Sequence, residues 1–272
     1  MTPEEVLEKY NNLKENSNLL DKQILESKKS KISTYLINTG INDLRVNNNL
    51  FFDIQLYSAP VREIYNSTFI YYYDAIYLDK QFISNPINAN VVNCQLTHEI
   101  LHCLNNDEKG RQYFLGHLVD QNYVGIDEAT TQLFTEDIEQ TYLTDQQDSR
   151  LYFIKNIMRI LKAIFGQDLL LKQYLNINNE FENTVNNLMN NEQWVKDFAL
   201  MMTKYYTLKS QKSDLENIKI LEQEIIAKTF EVIDKQLLYD NTIYERISNE
   251  FANIKSNFLY DYNILTGNSL KI

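Results

Sequence analysis

Residues Gln95–Leu104 read QLTHEILHCL, and the reading of these ten letters decides the fold. The chain holds three histidines in 272 residues, and two of them, His98 and His102, stand four apart around Glu99. Residues four apart lie on one face of an α-helix, one turn above the other. Leu96, Ile100, Leu101 and Leu104 add apolar companions, so the stretch predicts a helix from about Ala89 to Leu104. On such a helix each imidazole can place one ring nitrogen on a single ion. Glu99 points about 100° further round the axis and can reach a water on that ion without binding the ion itself. Zinc lowers the pKa of its water toward about 7, and a carboxylate beside it can take the proton, which is why the spacing HExxH carries chemistry. The competing reading is an amphipathic helix with two histidines by coincidence. Against it, imidazoles and carboxylates are rarely set among apolar neighbours without a partner.

Working outward, Asn85-Pro86 breaks the chain before this helix and NNDEKG closes it at 105–110. A loop is expected from there to Gly125, then a second helix from about Asp127 to Tyr142. Upstream, residues 2–37 read as one helix. Thr2 can cap it, Pro3 suits its first turn and Glu5 completes a capping box. Val6, Tyr10, Leu13, Leu20 and Ile24 recur near helical spacing, and Gly40 is a plausible stop. The β-branched and aromatic runs LFFDIQLY at 50–57 and TFIYYYDAIYLD at 68–79 read as strands of a small sheet. From 150 onward almost everything reads as helix, including RLYFIKNIMRILKAIF and a long segment at about 213–238. Leu215, Ile218, Leu221 and Ile225 there have the spacing of a packed helix face, with a partner-binding coiled coil as the lesser reading. The fold class expected is α+β, mostly helical. Residues 1–105 would form an N-terminal lobe with the sheet and the histidine helix, and 106–272 an extended helical C-terminal lobe, together one catalytic unit.

Composition supports a folded chain, 44% hydrophobic and 23% charged, and six glycines with three prolines favour long helices over a turn-rich sandwich. A net charge of −11 argues against nucleic acid and anionic membrane surfaces as partners. No signal peptide or transmembrane run is visible in the sequence, which leads to a cytoplasmic expectation. Cys94 and Cys103 are nine residues apart on one predicted helix, hence roughly 13 Å apart and beyond disulfide reach. Free thiols fit a reducing compartment. No phosphate-binding loop, dinucleotide fingerprint, nucleophile elbow or CxxC pair competes with the histidine motif.

A catalytic zinc takes three protein ligands and keeps one position open. Three side chains are candidates for the third. His117 is the remaining histidine. Glu108 falls where the elongated motif HExxHxxGxxH has its last histidine, although Asn105 stands in place of the glycine. Glu128, in VGIDEATTQLFTE, lies 26 residues after His102 near the start of the next helix. It is favoured, because a glutamate one or two helices later is the His₂Glu pattern. Gly125 would allow a sharp turn and Asp127 would cap the helix. The bland reading of Asp127 and Glu128 is a pair of acids complementing a helix dipole.

LTHEILHCL followed by GIDEATTQLFTE resembles the zincin metallopeptidases of the gluzincin type. Within them it is similar to bacterial zincin-like proteins whose glutamate helix has the form (L/I)(D/N)E(A/G)xT. The resemblance covers roughly residues 68–165. It implies a zincin-like fold, Zn²⁺ held by His98, His102 and Glu128, Glu99 as general base, a small sheet above the site and a helical lower lobe. Peptide hydrolysis also needs a donor for the developing oxyanion. Tyr123, Tyr142 and Tyr152 are candidates for it, and Arg150 can pair with a site carboxylate. Asp127 and Glu136 are candidates to orient the ligating histidines. Cys94, one turn before His98, reads as a small buried residue rather than a ligand. The function expected is a zinc metallopeptidase acting on a peptide or protein. The alternative is a non-catalytic protein of the same fold, with a structural zinc and a C-terminal half that binds a protein partner.

Overall fold

A computed structural model describes residues 8, 11–13, 15–61, 69–71, 75–105, 113–114, 117–118, 123–142, 150–211 and 214–252. The described chain is mostly helical with a small sheet. It divides into two units, Met1–Gln112 with Asp137–Thr141, and Tyr113–Glu136 with Tyr142–Ile272.

In the first unit β1 (Asn18–Leu19), α1 (Gln23–Asn38), α2 (Leu44–Phe51) and β2 (Gln55–Ala59) come first. They are followed by β3 (Phe69–Tyr71), β4 (Ala75–Asp79), α3 (Lys80–Ile83), a 3₁₀ turn (Pro86–Asn88) and α4 (Ala89–Leu104). The sheet order is β1-β2-β4-β3. β2 runs parallel to β4, with Gln55 opposite Ala75 and Ala59 opposite Asp79, and the two outer pairs are antiparallel. β4 lies inside the sheet and all five of its residues are buried. Tyr57 and Tyr77 are register partners and stack with ring centroids 5.3 Å apart. Leu13, Ala59, Val61 and Ala75 close the core around Tyr77.

Two expectations change here. The helix read over 2–37 is interrupted by β1, and α1 begins only at Gln23; residues 2–7 lie outside the described ones. Leu25, Lys29, Ile32 and Leu36 form its buried face, while Ile24 is 55% exposed. Lys29 keeps its ammonium bonded at a core position by donating to the Phe52 carbonyl at 2.8 Å. The helix ends as the sequence suggests, with Gly40 at φ +73° and the Ile41 N–H donating back to the Leu36 carbonyl. The strand read at 50–57 begins only at Gln55, because Leu50 and Phe51 belong to α2. Asp43 caps α2 by accepting from the Val46 N–H, and Val46 and Leu50, one turn apart, are buried.

The second unit begins with paired β5 (Tyr113–Phe114) and β6 (His117–Leu118), in the stretch read as loop. The helices are α5 (Val124–Glu139, its last three residues in the first unit), α6 (Tyr152–Phe165), α7 (Gln167–Tyr174), α8 (Glu180–Met189), α9 (Trp194–Gln211), α10 (Leu215–Leu237) and α11 (Ile243–Phe251). α6 packs against α7, α10 and α11, and α10 against α8 and α9. Ile218, Leu221 and Ile225 are buried in this packing, and Leu215 is exposed. No helix among the described residues is long and apolar enough to cross a membrane.

α6 carries Lys155, Arg159 and Lys162 at i, i+4 and i+7, all buried. Glu136 accepts from Lys155 Nζ at 2.6 Å and from Arg159 Nη2 at 2.7 Å, and Glu250 takes Lys162 at 2.5 Å and Arg159 at 3.4 Å. Removing one member of such a cluster strands a desolvated charge. Glu136→Ala should therefore cost about 3–5 kcal/mol and lower the urea midpoint sharply. A midpoint equal to wild type would show that the cluster is solvated.

Candidate metal centre

α4 spans the residues that periodicity predicts. Its C-terminal half is buried on most sides, by Cys94, Leu96, Thr97, His98, Ile100, Leu101, His102, Cys103 and Leu104. Cys94 and Cys103 are both free thiols. The open carbonyl end is satisfied from α2, where Arg45 Nη1 donates to the Leu104 carbonyl at 3.0 Å and Asn49 Nδ2 at 3.3 Å. A cation suits that end of the helix dipole. The helical repeat sets His98 edge-on to His102, with ring centroids 4.7 Å apart and planes at 73°. Their Nε2 atoms are 3.0 Å apart, and each residue is only 5% exposed.

Glu128 is set by α5, which starts three residues earlier than the sequence suggests. Gly125 is therefore inside the first turn rather than in a bend before it, and Asp127 is a buried first-turn residue rather than the cap. Glycine is needed here for closeness. A Cβ on Gly125 would stand 2.6 Å from the Met202 carbonyl oxygen and 2.6 Å from Thr203 Cα on α9. Glu128 itself is half-buried. His98, His102 and Glu128 each offer one ligand atom, and these atoms lie within 4.8 Å of one another. Among the described residues this is the one such convergence of histidine, cysteine and carboxylate side chains.

The donor set fits a small divalent cation. A tetrahedral zinc with bonds near 2.05 Å holds two nitrogens about 3.3 Å apart, close to the spacing of the two Nε2 atoms. Without a cation, that spacing suits one neutral imidazole donating its Nε2–H to the other. Two imidazoles and a carboxylate leave one tetrahedral position for substrate or water.

Glu99, next to His98, is half-buried. Tyr123 immediately precedes α5, and its carbonyl accepts from the Asp127 N–H at 3.1 Å. The other two tyrosines lie by the α6 cations: Arg159 sits 5.2 Å over the Tyr142 ring and Lys155 5.4 Å from that of Tyr152. Arg150 stacks on Tyr206 at 6.0 Å. Glu136 is two turns beyond Glu128, about 12 Å along the helix, in the charge cluster of α6. Cys94 is not in the converging group. His117 lies on β6, and Glu108 lies outside the described residues.

The structure also shows a carboxylate that sequence reading passed over. Glu139, in the last turn of α5, accepts from Thr97 Oγ1, beside His98, and from Lys28 at 2.8 Å and Lys31 at 2.9 Å. An acid at a helix C-terminus opposes the dipole, and two lysines from α1 offset it. Burial pushes its pKa up, but hydrogen bonds from Lys28, Thr97 and Lys31 outweigh burial and hold it below the usual carboxylate range. The signal was available in Thr97 adjoining His98 and in the Lys28/Lys31 pair, but only the tertiary fold joins them.

Comparison of the chain with protein-family models, curated proteins and solved structures returned no match. The site thus rests on its own geometry.

With its folded pKa depressed, Glu139 contributes its full stability above the unfolded value of 4.5 and loses that contribution as pH falls through the lower folded value. Acid titration of stability should therefore steepen below pH 4.5, and Glu139→Gln should flatten that limb. Identical acid limbs in the two proteins would refute the assignment.

Proposed function

We propose that this protein is a zinc-dependent metallopeptidase of zincin type. His98, His102 and Glu128 would hold the metal and Glu99 would act as general base. The observation that carries the reading is the convergence of those three ligand atoms, with a half-buried glutamate one residue from the first histidine. A Zn²⁺ bound there supplies Lewis-acid polarisation and an acidified water. The chain does the rest. The imidazoles present neutral Nε2 atoms, fixed by the helical repeat. The Glu99 carboxylate takes a proton from the attacking water and returns it to the leaving amine nitrogen. Of the three tyrosines considered as oxyanion donors, Tyr123 immediately precedes the Glu128 helix and is the one retained, whereas Tyr142 and Tyr152 lie against Arg159 and Lys155 of the α6 charge cluster.

The substrate class is a peptide or protein. The net charge of −11 disfavours a polyanionic substrate. The free buried cysteines agree with a reducing compartment such as the cytoplasm. An intact general base favours catalysis over a structural zinc, which has no use for one.

Elemental analysis tests the ligand set. About one zinc per chain is expected in the native protein, with a large loss in Glu128→Ala. Glu99→Gln should keep its zinc while hydrolysis of an unfolded protein substrate falls by about 10²–10⁴-fold. A native chain that takes up no zinc removes the metal reading. Full zinc with no Glu99-dependent hydrolysis removes the peptidase and leaves a structural site.

A further inference from the structure

We propose that Thr203 on α9 is a positioning residue for the metal ligand Glu128, so that the C-terminal helices set the third coordination arm. This rests on the metal reading above. The first N–H groups of a helix have no partner inside it. In α5 one of them, on Gly125, donates to Thr203 Oγ1 at 3.1 Å, and both residues are buried. At the same point the α9 backbone comes as near as a side chain of one hydrogen permits, since any Cβ on Gly125 would overlap Met202 and Thr203 main-chain atoms. A hydrogen bond and a steric stop thus fix both the height and the rotation of the first turn of α5.

Glu128 is three residues further on, and within a helix its direction follows that turn rigidly. A second fixture stands just beyond it. Thr131 Oγ1 is bonded to the Tyr174 hydroxyl of α7 at 2.9 Å and to the Asp127 carbonyl at 2.8 Å, with Tyr174 fully buried. Glu128 therefore sits between two anchored points. The carboxylate has three rotatable bonds of its own. Only a fixed helix turn limits where it can reach. Partners bonded directly to a ligand tune metal affinity about 10–100-fold, and a partner acting through the helix turn is expected at the lower end of that range.

The test uses the full-length chain and zinc alone, measured by competition with a chelator. Trp194, the sole tryptophan, opens α9 and is 3% exposed against Phe198, so its emission reports whether α9 keeps its seat. Thr203→Val keeps shape but removes the acceptor. It should weaken zinc binding about 10-fold with Trp194 emission unchanged, and Thr203→Ser should restore the affinity. Wild-type affinity in Thr203→Val, while Glu128→Ala is weakened, overturns this inference and leaves the metal reading standing. If Thr203→Val disturbs the emission, Thr203→Ala, which removes the hydroxyl without adding bulk, decides: weakened zinc binding with native emission supports the proposal, and wild-type affinity overturns it. A native chain whose zinc binding is indifferent to Glu128→Ala removes the metal reading and this inference together.

Discussion

The pitch of an α-helix is the constraint from which the site follows. At 3.6 residues per turn, side chains four apart stand on one face with their tips within bonding distance. His98 and His102 meet at Nε2 because α4 is helical without a break from Ala89 to Leu104. Everything around α4 protects that regularity. α2 donates to its last carbonyl through Arg45 and Asn49, and apolar residues bury the faces the histidines do not use. A kink of one residue would turn one imidazole away by about 100°.

α5 presents the opposite problem. Few of its residues are exposed, yet it is rich in polar groups: Asp127, Thr130, Thr131, Gln132, Thr135 and Glu136 are all buried. Each buried polar group costs free energy unless it is bonded. The threonines Thr130 and Thr131 return their hydroxyls to carbonyls one turn back, at 2.7 Å and 2.8 Å. Glu136 is met by two cations, and Glu139 by two lysines and Thr97. Glu128 is the acid of this helix that converges with the histidines.

Local patterns carried much of this into the sequence, and non-local ones did not. The bounds of α4 and the pairing of its histidines are set by periodicity and by Asn85-Pro86, both short-range. Glu128 was legible as a ligand candidate from its distance along the chain. The start of α5 was not, because Gly125 and Asp127 carry ordinary turn and cap chemistry, whereas Gly125 is required by α9, 78 residues away. α2 hid behind aromatic and β-branched residues at 50–57; the better signal was Asp43, three residues before Val46. Lys155, Arg159 and Lys162 share one face of an otherwise apolar helix, a pattern that calls for buried acids without naming Glu136 or Glu250.

The composition of α5 has one more consequence. Gly125, Thr130, Thr131 and Thr135 are poor helix formers, together worth about 3 kcal/mol against the helix relative to alanine. A 16-residue segment of this kind is mostly coil on its own. Its helical form is conferred by docking, on Thr203 at one end and on the lysines of α1 at the other. The two halves of the His98–His102–Glu128 group thus differ in kind. The histidine pair belongs to a helix written into its own sequence, while the glutamate is in place only once distant parts of the chain have assembled, which makes a complete site a signature of the finished fold.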